Sequence, residues 1–526
     1  MTPLLVAVDV GTTSARAGVV TDTGAMLARA EAGIALRRNG ADEAEHDSED
    51  IWRAVCRAVN AALAMADADP ARVAGIAFDA TCSLVVRDRA GAPLPVGVDG
   101  DANWDTIVWL DHRAIAEAEE ARATGHRVLG FSGGALSPEM EIPKLMWLSR
   151  HRPAVWARAG HIFDLADFLA WKACGTGARS QSTLTSKWCF LAHEDEGWPS
   201  DFLAAVGLAD LCEKAGLPEH ASPIGRALGR LTPEAALQLG LPQTVVVATG
   251  MVDAHAGALG VLGGFASAPR SIDRHLALIA GTSSAVTALA TAPRPAPGVW
   301  GPYFGAVLPG LWLSEGGQSA SGAALDHIIR VHASGAAPSP QTHAAIIDRI
   351  VALRRETDDL APRLHILPDF HGNRSPFADP RALGVISGMS LDASFDGLCR
   401  IYWRTAVAIA LGVRQILETL NAAGYAIDTL HVTGGHTRNR LLMELYADAT
   451  GCTVHEVPDA DAMLLGSAMA AATGAGLYPG LADAACAMRQ PSVARRPDLT
   501  RRARYDRDYK VLMTLHAHRA EIEAMM

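Results

Sequence analysis

Four short stretches of this chain carry groups that could handle a phosphate ester. The apolar run Leu4 to Val10 breaks at Gly11-Thr12-Thr13-Ser14. A tight turn of that kind offers backbone N–H groups and hydroxyls to phosphate oxygens without needing a lysine. Asp9, at the end of the run, is placed to support Mg²⁺ through water, because that ion takes one or two carboxylates together with substrate phosphates. Taken alone, the same residues make an ordinary hairpin with an aspartate capping its turn. The pattern recurs as Ala280-Gly281-Thr282-Ser283-Ser284-Ala285, again after an apolar strand, and two facing turns could close on one nucleotide. None of the five lysines (Lys144, Lys172, Lys187, Lys214 and Lys510) lies in a GxxxxGK[ST] loop, so a P-loop is excluded.

The third stretch, Leu430-His431-Val432-Thr433-Gly434-Gly435, runs from a strand into glycines that would let a flat base and ribose approach the backbone. A plain strand-to-helix turn accounts for it equally well in isolation. The fourth, Thr249-Gly250-Met251-Val252-Asp253-Ala254-His255, opens a small-residue helix. Asp253 is there either an N-cap or a carboxylate base at the carboxyl edge of a sheet, where sites in α/β proteins lie. A metal site at Asp253-Ala254-His255 is the weaker reading, since no HExxH or second cluster supports it.

The elements that would position these residues alternate along the chain. Leu4 to Val10 and Ala15 to Val20 read as strands, with hairpin residues Thr21-Asp22-Thr23-Gly24 after them. A helix follows Asp47, with Ile51, Val55, Val59 and Leu63 on one face. Val73 to Phe78, Thr244 to Ala248 and Leu276 to Ala280 read as strands; Asp253 to Leu262 and Ser319 to Val331 read as helices. The end from Asp498 onward, rich in Arg and Asp, reads as a surface helix. This alternation predicts α/β layers. The recurring glycine turn predicts a duplicated lobe, with the boundary in Gly263 to Arg274.

With 526 residues, 49% hydrophobic and 20% charged, the chain is long enough for two large lobes and too apolar to be disordered. A formal charge of −11 disfavours nucleic acid as a partner. No apolar run approaches the roughly 20 residues of a membrane helix, and the N-terminus lacks the features of a signal peptide. Eight scattered cysteines without a CxxC pair fit a reducing cytoplasm.

Taken together and in order, these motifs resemble the FGGY carbohydrate kinases. The resemblance runs through Asp9 to Ser14, Glu45-His46-Asp47, Trp109-Leu110-Asp111-His112-Arg113, and Gly250 to Gly260 with Asp253. It continues through Gly281-Thr282-Ser283, Gly372-Asn373-Arg374-Ser375-Pro376, and Thr433-Gly434-Gly435 with Asn439. Phe78-Asp79-Ala80-Thr81-Cys82-Ser83, Ser186-Lys187-Trp188, Trp300 to Tyr303 and Glu315 to Ser319 look most like the ribulokinase branch. Thr81 departs from the Ala that the L-ribulose enzymes of that branch carry before the cysteine.

The resemblance implies an α/β fold of two duplicated ribonuclease-H-like (actin-like ATPase) domains with a central cleft. Residues 1–264 would form the N-terminal lobe and 265–526 the C-terminal lobe. It implies ATP and Mg²⁺ as cofactors. Gly11, Thr12, Thr13, Arg16, Gly281 and Thr282 would hold phosphates; Gly317, Gly434, Gly435 and Asn439 would line the adenosine, and Asp9 would support the metal. Thr81, Cys82, Lys187 and Glu315 would bind a sugar whose primary hydroxyl gives its proton to Asp253. The expected acceptor is a ketopentose, D-ribulose first and L-ribulose second, with ribitol or xylulose behind. A hydrolysing ATPase acting on proteins and a sugar-sensing module without transfer are the readings of other classes. A small-molecule sugar is thus the expected partner, with neither nucleic acid nor membrane; a homodimer is compatible with all of this.

Overall fold

Leu4–Val10 (β1) is buried along its whole length, the mark of a strand covered on both faces. In this computed structural model, which describes residues 2–40, 42–266, 269–357, 359–457 and 461–525, β1 is central to a seven-stranded sheet. Ser14–Thr21 (β2) returns antiparallel beside it, setting Arg16 opposite Asp9, and Met26–Gly33 (β3) continues the meander. Ser48–Met65 (α1) starts where Asp47 accepts hydrogen bonds from the N–H groups of Glu49 and Asp50, and it buries Ile51, Val55, Val59 and Leu63. Val73–Ala80 (β4) joins β1 in parallel with Asp79 opposite Asp9, and Val246–Ala248 (β5) lies beyond it. Asp253–Leu262 (α2) then leaves the carboxyl edge of this sheet.

The second sheet repeats the plan. His275–Ala280 (β6) and Ser284–Ala290 (β7) form the hairpin, and Trp312–Gln318 (β8) extends it. Gly322–Val331 (α3) and Phe395–Ala422 (α4) follow. Thr429–Thr433 (β9) pairs with β6 in parallel, Arg440–Thr450 (α5) comes next, and Thr453–Glu456 (β10) lies beyond β9. Strand order β5-β4-β1-β2-β3 in one sheet is matched by β10-β9-β6-β7-β8 in the other. The Gly11 and Gly281 turns therefore occupy equivalent places, each between a central strand and its antiparallel neighbour.

Two helices fill the space between the sheets: α2 from the first half and Ala462–Gly474 (α6) from the second. They cross with almost no side-chain bulk, because a Cβ on Gly260 would collide with the Ala462 carbonyl and one on Gly466 with that of Ala256. Through Leu259, Leu464 and Ala468 a shared core joins Leu5, Ala7 and Ala77 of the first sheet to Ala277 and Leu289 of the second. Gly260→Val should force the crossing apart and cost roughly 1–3 kcal/mol, the usual range for overpacking. A lowered urea midpoint at unchanged slope is the expected reading; an unmoved midpoint would mean that the crossing yields freely.

Two elements differ from the sequence reading. The helix expected from Ser319 begins only at Gly322, because the N–H groups of Ser321 and Gly322 are taken by the carbonyls of Thr282 and Gly281. The terminal helix, Arg502–Glu523 (α7), is not a plain surface helix: Tyr505, Asp508, Leu512 and His516 are buried on one face, and Asp508 pairs with the equally buried Arg404 of α4 at 2.8 Å. A five-stranded sheet is inserted in the first half, from Arg37–Asn39 to Ala159–Asp164, and forms a wall of that half. There Glu45, Asp111 and Arg113 brace one another while Asp111 also accepts the Ala44 N–H. These motif residues serve the wall.

Candidate active site

The two glycine turns are built alike. The Gly11 N–H donates to the Ser14 carbonyl at 3.0 Å and the Gly281 N–H to the Ser283 carbonyl at 2.8 Å, leaving Thr13 and Thr282 exposed. The first is anchored from outside: Trp109 donates its indole N–H to the Thr12 hydroxyl, and His46 meets the Thr12 carbonyl, each at 2.9 Å. The second is anchored by Ser321, Gly322 and Ala323, whose N–H groups take the Gly281 and Thr282 carbonyls.

Beneath the first turn lies a buried carboxylate pair. Asp9 is wholly buried and paired with Arg16 at 2.8 Å. Burial pushes its carboxyl up to about 7; Arg16 opposes this, while the charges of Asp461 and Asp253 add to it. Asp79 is pushed well above the usual range by burial and then by Asp9, and its Oδ2 accepts the Ser467 hydroxyl of α6 at 2.6 Å. Asp9 Oδ2 faces the Arg16 guanidinium, while Oδ1 of Asp9 and Oδ1 of Asp79 are left without a hydrogen-bond partner. Such a donor set suits a hard cation that takes few protein ligands. Among the described residues no cluster of three or more His, Cys, Asp or Glu forms a closed metal cage.

Asp253 is the first residue of α2, while Val252 occupies the N-cap position without a side-chain bond. Only its neighbour's N–H, that of Ala254, is bound by Asp253 Oδ1, at 2.7 Å. Burial raises its pKa and Glu315 adds to the rise, against the Ala254 N–H, Lys187 and Arg16. The N-cap alternative is therefore set aside by geometry, and the carboxylate keeps acceptor capacity for a proton.

Beside Asp253 a polar chain crosses between the halves. Lys187, at the end of the short helix Gln181–Lys187, is 4% exposed and reaches Glu315 of β8 at 3.7 Å. Its ammonium lies 5.1 Å from the Trp300 ring centre, and the Arg374 guanidinium lies 5.5 Å from the same ring. His255 Nδ1 is 2.7 Å from the Ser182 hydroxyl, which already accepts the Val252 N–H. A carboxylate 3.5 Å from Nε2 calls for the tautomer that carries the proton there, in which the Ser182 hydroxyl donates to Nδ1. Burial alone would raise the Glu315 pKa, but Lys187 and His255 outweigh it and hold the group near about 2. Burial likewise opposes the Lys187 charge, yet Glu315 keeps its pKa above the ordinary lysine value.

Thr81 and Cys82 lie on the same side of the molecule. Thr81 is buried, its N–H donated to the Val10 carbonyl. Burial pushes the Cys82 thiol up to about 12, which disfavours the thiolate.

Two expected nucleotide contacts also have structural roles. Gly317 sits inside β8 opposite Ala285, where a Cβ would strike the Ser284 carbonyl, and a Cβ on Gly322 would strike the Gly281 carbonyl. Asn439 is the N-cap of α5, its side-chain oxygen accepting the Leu441 and Leu442 N–H groups, so it shapes the glycine turn from behind. Gly434 has φ 88°, a conformation that favours glycine, and Gly435 follows it. His436, just beyond, is buried, and burial holds its pKa near about 4. Asp79, His255, Trp300, Arg374, Gly322 and His436 were not singled out as site residues by the sequence. Asp79, His255, Trp300 and Arg374 lie within quoted motifs, whereas Gly322 and His436 are brought in by tertiary contacts.

The N-terminal domain model of the FGGY family of carbohydrate kinases matches residues 4–260, and its C-terminal domain model matches residues 276–475. The chain belongs to the FGGY family of carbohydrate kinases. An FGGY carbohydrate kinase domain-containing protein of Homo sapiens is 40% identical over 99% of this chain and 97% of its own length. A D-ribulokinase of Saccharomyces cerevisiae is 37% identical over 85% of this chain and 68% of its own. Among solved structures, the xylulose kinase from Rhodospirillum rubrum superposes with a TM-score of 0.79 at 25% identity over 99% of both chains. This FGGY kinase is accordingly a ribulokinase-like sugar phosphotransferase of the duplicated actin-like ATPase fold, in a family that uses ATP. Among its described residues no helix is long and apolar enough to cross a membrane.

Proposed function

We propose that this kinase transfers the γ-phosphoryl group of ATP to a primary hydroxyl of a ketopentose, with D-ribulose the preferred acceptor. The observation that carries the reading is the buried Lys187–Glu315–His255 chain beside a half-buried Asp253 with a free acceptor oxygen. One donor and one acceptor so arranged suit a row of hydroxyls flanking a carbonyl. The D-isomer is favoured by likeness to the yeast D-ribulokinase and by Thr81 in place of Ala.

Phosphoryl transfer asks the protein mainly for alignment and charge stabilisation. Gly11, Thr12, Thr13 and Arg16 on one side, and Gly281 and Thr282 on the other, hold the phosphates. Gly434 and Gly435 receive the adenosine. Asp253 accepts the hydroxyl proton as the oxygen attacks phosphorus, and Lys187 and Glu315 fix the sugar so that this oxygen is the one presented. The carboxylate of Asp9, free on Oδ1, fits Mg²⁺ directly or through water, and the ion when bound would neutralise phosphate charge.

ADP release measured against a panel of ketoses and polyols tests the reading. Efficient turnover of D-ribulose is expected, with little ADP formed in the absence of sugar. Efficient use of glycerol, gluconate or a hexose with neither ribulose accepted would overturn the pentulose assignment. Thr81→Ala should shift the kcat/KM ratio between D- and L-ribulose toward the L-isomer by about 10-fold, the scale of a small steric and hydroxyl change in a pocket. An unchanged ratio would remove Thr81 from substrate choice.

A further inference from the structure

Arg374 is brought to the sugar pocket by an irregular segment that the terminal helix holds from the other side. The segment, residues 368–384, joins His365–Leu367 to Val385–Ser387, the two strands of a short antiparallel ribbon. Within it the N–H groups of Asn373 and Asp379 each donate to the other residue's carbonyl at 2.8 Å, and the Gly372 N–H donates to the Ala382 carbonyl at 3.2 Å. The Ser375 hydroxyl donates to the Gly298 carbonyl at 2.9 Å. From here Arg374 reaches the pocket. Its Nη2 is 3.8 Å from Glu139 Oε2 of the first half, and it shares the Trp300 ring with Lys187. Burial opposes the charge of Glu315, and Arg374 adds to Lys187 and His255 in favouring it.

One carboxylate anchors the segment. Asp369 is 7% exposed; its Oδ1 accepts the side-chain N–H of Asn373 at 3.0 Å, and its Oδ2 accepts from Arg519 Nη1 of α7 at 2.6 Å. The same Nη1 donates to the Leu383 carbonyl at 3.0 Å, so a single nitrogen of α7 clasps both ends of the segment. One turn earlier on α7, the His516 ring packs on Phe377 at 4.7 Å. Burial opposes the charge of Asp369, and Arg519 and Asn373 offset it. Asp369 and Asn373 border a small polar cavity shared with Gln318, Gln415 and His516, so at this point the segment has no packed apolar floor to hold it. Its place is set by charge-assisted hydrogen bonds from a helix that is itself fixed to α4 through Asp508 and Arg404.

We propose that Arg519 is a positioning residue for sugar binding: through Asp369 and Asn373 it sets where Arg374 stands in the wall of the pocket. The role rests on the Lys187–Glu315 pocket being the acceptor site. Arg519 touches neither reactant. Its influence falls on the sugar and spares the nucleotide, because the Gly11 turn is anchored by Trp109 and His46 and the Gly281 turn by Ser321, Gly322 and Ala323.

Steady-state kinetics of the full chain, with ATP and whichever ketose or polyol the wild type turns over fastest, test this. Arg519→Gln should raise the sugar KM about 10-fold or more, the scale of a small displacement of a positioned group, while the ATP KM stays within about 2-fold of wild type. Asp369→Asn keeps an acceptor for Asn373 and loses the charge that Arg519 meets, so it should act in the same direction, and the double variant should be no worse than the poorer single one. Because both Arg519 bonds leave from one nitrogen, Arg519→Lys should recover most of the loss. Hydrogen exchange over residues 372–383 gives a reading that needs no substrate: it should quicken in Arg519→Gln, with exchange at the Gly11 and Gly281 turns unchanged. Lys187→Met serves as the reference. If it is impaired while Arg519→Gln is normal, the positioning role fails and the pocket stands; if it is unimpaired, the pocket lies elsewhere and the role falls with it. Unchanged exchange in the segment, or an equal rise in the sugar and ATP KM, would also overturn the proposal.

Discussion

Asp253→Asn should lower kcat by roughly 10²–10⁴ while leaving ATP and sugar affinity close to wild type, the span expected when a general base is lost and its shape retained. The carboxylate is well suited to such a test because its one hydrogen bond inside the protein, to the Ala254 N–H, can be kept by the amide oxygen of Asn. The pH profile supplies a second reading. Burial and the neighbouring Glu315 raise the Asp253 pKa, and catalysis needs the ionised form. Activity is therefore complete above that raised pKa and declines, as pH falls, earlier than an ordinary aspartate would dictate. Near-normal kcat in the Asn variant, or a wild-type acid limb at the position of a solvent-exposed Asp, would remove Asp253 from this role.

Lys187→Met should be the most damaging change in the pocket for stability and activity together. It removes the cation from a pair buried on both sides, 4% and 6% exposed, and leaves Glu315 with His255 and the weaker influence of Arg374. Breaking such a pair from one side costs about 3–5 kcal/mol, and kcat/KM should fall by about 10² or more as sugar hydroxyls lose their donor. Glu315→Gln in the same background relieves the stranded charge. The double variant should thus recover much of the stability and none of the activity. Recovery of both would show that the pair is only a brace. The acid dependence has a definite sign: the Glu315 pKa is depressed from 4.5 to about 2, so its contribution to stability is present above about pH 4.5 and is lost as pH falls toward 2.

What could be read from the residues in order is what local chemistry determines. The Gly11 and Gly281 turns, the cap at Asp47 and the strand–turn–helix at Asp253 each lie within a few consecutive residues, and the structure places each at an element junction. The pocket was legible only through family resemblance, since Lys187 and Glu315 come from different halves and neither has a periodic signal. Gly322 has no local signal because its contact is with the Gly281 carbonyl, which only the folded turn presents, whereas Gly317 was named through the family resemblance alone. On α7 the buried stripe was hidden by its own composition: Asp508 and His516 face inward, so hydrophobic periodicity could not show it.

Helix α6 has a consequence for synthesis. The first sheet is made from residues that end at Val252, yet α6, the helix in the core shared by Leu5, Ala7 and Ala77, is not complete until Gly474. On the ribosome, the N-terminal strands must therefore wait with one apolar face uncovered while more than 200 further residues are translated, roughly 10–40 s at ordinary elongation rates. During that interval the nascent chain is a client for whatever shields apolar surface as it emerges. A stop codon placed anywhere before residue 462 should yield a fragment that cannot seal its own sheet.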